Sequence, residues 1–418
     1  MKILVATDAF PPLCGGSGWS TFELARGLRA RGHDITVVRP RQDDFPLVRE
    51  IEYDGFSVRE FPIAPPKIPY VRNYYKSERL TRLLGLYLAD LATKNRYDIV
   101  HAQHVMTALP SIAAARRTGV PVVVTVRDYW PVCYWSDLLH TKEGLELCPE
   151  CTVSNMMECI RPRAGAAWPL AIPLIPYMRA NLARKRVGLA SADAVIAVSR
   201  RIAADLAARA PELAGTRIHT IPNPVNVSDL RALAAASPTP TSEPYALYLG
   251  KLAPNKGTSR LVDVVERSRL DWPLVIVGDG PDRRDIEHSA RRSGRTIEIK
   301  GWLPKDEAAR WLAHASLLIF PSRGPESLSR VLIEASALGV PIAAMETGGT
   351  RDIIEPGVTG LLSATPEQLA DDVRRLREDP VLRKQLGDAA RLRVEREFDA
   401  PSVVARIEQL YAGLLARK

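Results

Sequence analysis

KILVATDAFPPLCGGSGWSTFELARGLRARG, residues 2–32, holds the pattern that decides the fold. An apolar run, KILVAT (2–7), is followed by CGGSGWS (14–20), in which Gly15, Gly16 and Gly18 fall within four positions. Phe22, Leu24, Ala25 and Leu28 then recur at helical spacing. Strand, glycine-rich corner and helix in that order form the opening unit of a doubly wound α/β sheet. Glycine lets backbone N–H groups approach a ligand closely, and the helix that follows presents its positive end, so the corner suits a phosphate. GGSG matches neither GxGxxG nor GxxxxGKS, so neither a dinucleotide fingerprint nor a P-loop is indicated. A tight turn that needs positive φ is the plainer alternative, and both readings stay open.

The alternation continues along the chain. Short Val/Ile/Leu-rich runs at 3–7, 35–38, 99–102, 122–126, 194–198 and 218–221 read as strands, and so do 245–249, 274–277, 297–299, 317–320 and 342–344. They are continuous rather than alternating, as strands buried on both faces should be. Helical patterns at 107–117, 200–210, 259–269 and 330–338 lie between them. The pattern breaks at ALAAASPTPTSEP (232–244), so a linker is expected over 228–244. It divides an N-terminal Rossmann-like domain, 1–227, from a second, 245–400, each presenting a ligand site at the carboxyl ends of its strands and both facing a central cleft.

At 418 residues, 46% hydrophobic and 25% charged, the chain reads as a soluble globular protein of two or three domains. The net charge of +9 favours acidic partners: nucleotides, phospho-sugars, anionic lipid or nucleic acid. The basic residues are scattered without an RNP-like or helix-turn-helix pattern, so no nucleic-acid partner is expected. Met1-Lys2 leads directly into a strand, and no window approaches about 18 uninterrupted apolar residues, so the location expected is cytoplasmic.

The second half carries the chemistry. GKLAPNKG (250–257) sets Lys251 and Lys256 around a Pro-Asn turn after a strand, where two ammonium groups suit a diphosphate. PSRGPESLSRVLIEA (321–335) places Glu326 just before a helix expected to start near 327–329, with Glu334 about two turns inside. At 1.5 Å per residue the carboxylates would stand roughly 12 Å apart along the axis. Phosphates on the helix N-terminus could then meet one carboxylate at each end, one on a ribose and one on a hexose. Solvated helix charge is the bland alternative.

These stretches, with VIVGDGP (275–281) and GGTRDIIEPGVTGLL (348–362), resemble retaining glycosyltransferases of the GT-B fold, glycosyltransferase family 4. The resemblance implies an α/β architecture of two Rossmann-like domains and a donor that is a nucleotide-diphosphate sugar. It also implies that the tail FDAPSVVARIEQLYAGLL (398–415) supplies a helix, 401–418, crossing back to the first domain. By the same resemblance Gly16 would touch the diphosphate, with Gly15 and Gly18 shaping the loop. Lys251 and Lys256 would neutralise the diphosphate, Glu326 would bind donor-sugar hydroxyls, Glu334 the ribose diol, and the N–H groups of Leu328 and Ser329 would complete the phosphate seat. The family usually has Arg where Lys251 stands. No Asp-x-Asp occurs, so no catalytic metal is expected, and the lysines with the helix end must carry the charge.

One position departs further. VVVTVRDYWPVC (122–133) matches a segment that in the family reads His-Asp; here it is Arg127-Asp128. Arg is no base at ordinary pH but can hold a phosphate or an anionic acceptor. An altered site or a weakened enzyme are both consistent with it. His101 and His104, in DIVHAQH (98–104), stand at another strand end, and with Asp128 they are candidates to hold the acceptor; a structural cap is the alternative.

Four of five cysteines, Cys133, Cys148, Cys151 and Cys159, fall within 133–159, and CPEC (148–151) is the C-x2-C knuckle of structural zinc sites. Structural zinc, redox-active thiols, disulfides and an iron–sulfur cluster are all open there. The next stretch, 161–189, has six Lys or Arg and no acidic residue, and contains the proline-broken apolar run WPLAIPLIPYM (168–178). It suits either packing on the first domain or contact with the anionic inner face of a membrane; the second would make a lipid-linked saccharide the natural acceptor. The activity expected is metal-independent sugar transfer to a hydroxyl. Its rivals are a nucleotide-sugar epimerase, a phosphorylase, and a catalytically silent binding subunit, for which Arg127 is the one support.

Overall fold

The computed structural model describes residues 1–417 except 13, 44–45, 69–70, 141–146 and 237. They form two compact units: 1–138 with 149–224 and 400–418, and 139–148 with 225–399. The chain changes unit at 224/225, ahead of the expected linker. Much of 228–244 is the helix Val227–Ala236, packed within the second unit. Its apolar Val227 and Leu230 are buried there, which a run of small residues did not signal.

In the first unit the strands are β1 (Lys2–Ala6), β2 (Asp34–Arg41), β3 (Arg49–Tyr53), β4 (Phe56–Pro62), β5 (Ile99–Ala102), β6 (Val122–Val126), β7 (Ala194–Ala197) and β8 (Ile218–Thr220). Their order is β3-β4-β2-β1-β5-β6-β7-β8. All pairs are parallel except β3–β4. That hairpin was missed because its strands are polar and at the edge, although Asp54-Gly55, both at positive φ, is a two-residue hairpin turn. The central strands β1, β5, β6 and β7 carry apolar runs buried on both faces. The helix Ala400–Leu415 belongs to this unit and packs on the helix Gly16–Ala30, burying Val403, Val404, Ile407 and Tyr411 in the same core as Ile3, Val5 and Leu24.

The second unit holds β9 (Ala246–Leu249), β10 (Leu274–Val277), β11 (Ile297–Gly301), β12 (Leu317–Phe320), β13 (Ile342–Met345) and β14 (Leu361–Ser363). They are parallel throughout, in the order β11-β10-β9-β12-β13-β14. The expected α/β, Rossmann-like organisation is present in both units. Each sheet reverses direction of growth at its first strand, β1 or β9, which is where a doubly wound sheet opens a ligand crevice.

Candidate active site

In the second unit the chemistry gathers around the loops that leave β9 and β12. Lys256 Nζ donates to Glu326 Oε1 at 2.5 Å, and Ser322 Oγ donates to the same oxygen at 2.6 Å. Glu326 is only 11% exposed, and among the described residues its Oε2 has no hydrogen-bond partner. The backbone of that loop is clamped from behind. Gly349 N–H donates to Glu326 O at 2.6 Å, and a Cβ on Gly348, at φ +52°, would lie 2.0 Å from that oxygen. Glu326 is therefore held on both sides: side chain by Lys256 and Ser322, main chain by a turn only glycine can form. Lys251 is exposed at the end of β9, with no ion pair among the described residues. Beneath it Tyr248 OH donates to Lys251 O at 2.8 Å; burial, with Glu326 and Asp282 nearby, drives its phenol far above the ordinary value, so it stays protonated.

The helix Arg330–Leu338 starts later than expected, with Ser329 as its N-cap and residues 326–329 outside it. Glu334 thus lies just over one turn in, and the 12 Å spacing, which assumed continuous helix, does not apply. Glu334 Oε1 accepts from Arg330 Nε at 2.7 Å. Leu328 and Ser329 sit at the helix start as expected, and Ser329 is buried with no side-chain cap bond. Sequence reasoning missed Ser322, Arg330 and the Gly348–Gly349 turn. It also missed Arg323, whose pKa is lowered by burial and by neighbouring Arg260, so a second cationic pair borders the Lys256 loop. Ser322, four residues before Glu326, was within reach of sequence; the glycine turn, over 20 residues away, was not.

In the first unit the glycine corner becomes the start of the helix Gly16–Ala30. Gly15 is its N-cap at φ −82°, with no side-chain cap, and a Cβ there would meet nothing within 4 Å. A Cβ on Gly18 would lie 2.5 Å from Cys14 Sγ, so that position demands a bare backbone for packing. Gly15 therefore offers open backbone at a positive helix end, and it does not use positive φ.

Arg127 points into this corner from the end of β6. It is buried, and its Nη1 donates to Ser17 O (2.5 Å) and Thr21 Oγ1 (2.9 Å), its Nη2 to Gln103 Oε1 (2.5 Å). The guanidinium is bound to protein acceptors on three sides, which corrects the expectation of a catalytic or acceptor-holding Arg127: it positions the first turn of the helix Gly16–Ala30. His101 is corrected likewise. It is fully buried, with Nδ1 2.5 Å from Tyr411 OH and Nε2 2.7 Å from Thr125 Oγ1. Burial, and Arg127 to a lesser extent, lower its pKa to about 3, so it is neutral and structural.

His104 and Asp128 remain partly open, with side chains 20% and 27% exposed, and Asp8 from the loop after β1 joins them. His104 Nε2 is 3.4 Å from Asp128 Oδ2; its Nδ1 is 3.1 Å from Asp8 Oδ2 and accepts from Val105 N–H at 2.9 Å. Nδ1 can serve the amide only unprotonated and Asp8 only protonated, so the proton's position selects the contact. Burial works against the imidazolium, but Asp8 and then Asp128 outweigh it and hold His104 above its ordinary value. Burial lifts Asp128 above the usual carboxylate range, with His104 pulling the other way. Burial also pulls Lys185, from the helix Ile175–Ala190, below its ordinary value, opposed chiefly by Asp128. Asp8–His104–Asp128 is a row of hydrogen-bonding groups at the carboxyl edge of β1, β5 and β6.

The cysteines are Cys14, Cys133, Cys148, Cys151 and Cys159. All five are thiols, and among the described residues no group of three or more Cys, His, Asp or Glu is placed to hold a metal ion. Cys133 Sγ lies 3.8 Å from Asp137 Oδ1, and its thiol is pushed up by burial, then by Asp137; Cys159 Sγ lies 3.7 Å from Arg163 Nη1. Residues 141–146, beside Cys148, fall outside the described residues. The 161–189 segment packs on its own small core of Met156, Ile160, Ala171, Ile175 and Met178. No helix among the described residues is long and apolar enough to cross a membrane.

The family model described as Glycosyltransferase Family 4 matches residues 14–229, more than half the chain, and that of Glycosyl transferases group 1 matches 231–393. The chain belongs to glycosyltransferase family 4. Among curated relatives of this glycosyltransferase, the GDP-mannose-dependent alpha-mannosyltransferase of Mycolicibacterium smegmatis is 26% identical over 370 residues, covering 87% of this chain and 84% of the relative. An alpha-maltose-1-phosphate synthase of the same organism is 26% identical over 450 residues, spanning both chains completely. Among solved structures, sucrose-phosphate synthase from Thermosynechococcus elongatus aligns with TM-score 0.72 at 21% identity over all of both chains. Anabaena HepE in complex with UDP-glucose aligns with TM-score 0.65 at 19% identity over 99% of this chain and 100% of that one. The fold of the glycosyltransferase is GT-B.

Proposed function

We propose that this glycosyltransferase moves a hexose from a nucleotide-diphosphate donor to a hydroxyl acceptor with retention and without a catalytic metal. The observation that carries the reading is the Lys256–Glu326–Ser322 array beside the start of the helix Arg330–Leu338. Lys256 has donors left after Glu326, and with Lys251 and the N–H groups at Leu328–Ser329 it meets the diphosphate as negative charge grows on the leaving oxygen. Oε2 of Glu326 accepts from donor-sugar hydroxyls. Glu334 takes the ribose diol by exchanging its Arg330 bond for two hydroxyl donors. Acceptor oxygen attacks the anomeric carbon on the face the phosphate leaves; the C–O bond to phosphate breaks, and the hydroxyl proton passes to a departing phosphate oxygen. Positioning and charge stabilisation suffice for this step, with no protein nucleophile.

On the acceptor side we assign Asp8, His104 and Asp128 to bind the saccharide hydroxyls of a lipid-linked or cell-envelope acceptor. The relatives' names include GDP-mannose donors and the neighbours' titles UDP-glucose, so the base is read by experiment. Thermal unfolding against UDP, GDP, ADP and their sugar conjugates, without divalent metal, should show one preferred base; at about 100 times Kd the gain is close to 2.7 kcal/mol. With that donor, Glu326→Gln should lower turnover at least tenfold while the nucleoside diphosphate binds within threefold of the parent. Unchanged turnover removes Glu326 from the sugar site.

A further inference from the structure

In the first unit the helical insert between β6 and β7 forms a half-open pocket of about 710 Å3 that the donor and acceptor groups do not use. Its walls come from Cys151, the helix Val153–Ala164, the prolyl turn Ile172–Leu174 and one stripe of the helix Ile175–Ala190. Twelve residues line it. Ten are uncharged and mostly apolar, among them Met156, Ile175 and Leu182, and the other two are Arg179 and Arg186. The lining has no carboxylate. Arg186 is committed, with Nε 3.0 Å from Glu212 Oε2 and Nη1 donating to Arg209 O at 3.3 Å. Arg179, two turns earlier on the same stripe, pairs with no carboxylate among the described residues. Val153 at the lining is 43% exposed, and Leu170, two residues before Ile172, is 81% exposed.

A half-open apolar pocket of this size, with the exposed Arg179 at its rim and no carboxylate in its lining, is complementary to a molecule with a hydrocarbon body and one anionic end. The opposite face of the same helix is anchored into the protein: Asn181 Nδ2 donates to Ser77 Oγ and Glu78 Oε1, both at 3.0 Å, and Lys185 lies near Asp128. One helix thus borders both the apolar pocket and the hydrogen-bonding row. We infer that this pocket binds a single-chain prenyl or alkyl phosphate, with the chain among Met156, Ile175 and Leu182 and the phosphate on Arg179. Its use as the seat of an acceptor's lipid rests on the glycosyltransferase reading above; the binding itself does not.

Titration calorimetry of the full chain with farnesyl phosphate, kept monomeric, tests it. Farnesyl phosphate is expected to bind, with farnesol at least tenfold weaker and inorganic phosphate not measurable. Arg179→Glu should weaken farnesyl phosphate at least tenfold and leave farnesol within twofold. Ala183→Trp, which fills the pocket, should weaken both, its fold checked by unaltered thermal unfolding. Peptide-resolved alkylation gives a second readout, since Cys151 should be protected by farnesyl phosphate and not by inorganic phosphate. Binding that neither variant changes, equal binding of inorganic phosphate, or association only with vesicles of phosphatidylglycerol overturns the inference. Nucleoside diphosphate is titrated into the same protein: intact nucleotide binding with no farnesyl phosphate binding sinks the pocket alone, whereas loss of nucleotide binding sinks the donor site.

Discussion

Arg127 shows how a single side chain can carry a different role from the one its motif suggests. A guanidinium in place of the family's imidazole invites a role in anion binding, yet its donors end on Ser17 O, Thr21 Oγ1 and Gln103 Oε1. Arg127→Ala should leave Gln103 and Thr21 without their charged donor in a buried setting, at a cost on the order of 3 kcal/mol. The thermal midpoint should then fall by roughly 6–12 °C. Nucleoside diphosphate affinity should stay within threefold, because the donor groups argued above are elsewhere. A variant with the parent's midpoint and lost nucleotide binding would return Arg127 to the ligand.

At the scale of elements, the turn Gly348–Gly349 after β13 positions the loop before the helix Arg330–Leu338. It does so through Glu326's carbonyl, which accepts from Gly349 N–H. A methyl group at 348 would approach that oxygen to 2.0 Å at a φ of +52°, so one element must move. Gly348→Ala should cost about 1–3 kcal/mol and reduce donor turnover at least tenfold, with the diphosphate still bound. Turnover equal to the parent's would show that the clamp does not set Glu326. The same scale explains the sequence motif's error of length. The helix is expected from about 327–329, but Ser329 is extended as its N-cap, Gly349 N–H holds Glu326 O ahead of it, and the helix begins only at Arg330.

For the molecule as a whole, the fully buried His101 couples stability to pH. Its Nδ1 meets Tyr411 on the C-terminal helix and its Nε2 meets Thr125 on β6. A folded pKa of about 3 lies below the ordinary 6.5, so its contribution is complete above 6.5 and is lost as pH falls toward 3. The loss approaches about 1.4 kcal/mol per pH unit. His104 has the opposite sign: its folded pKa is raised, so its contribution is present below its ordinary value and fades as pH rises through the folded one. Thermal midpoints from pH 7.5 to 4.5 should fall more steeply for the parent than for His101→Gln; parallel curves would show that His101 does not titrate across folding. By itself the sequence determined the parallel strands of the two α/β sheets, because strands buried on both faces must be continuous apolar runs and crossovers must be amphipathic helices. It also determined the family, through motifs such as GKLAPNKG (250–257) and PSRGPESLSRVLIEA (321–335) whose internal spacing is local. Tertiary structure alone decided that Arg127 and His101 are internal, that Asp8 joins His104 and Asp128, and that Gly348 sits against Glu326. Each of those depends on contacts between segments some 20 to 310 residues apart, fixed by sheet order and packing, which no local pattern encodes.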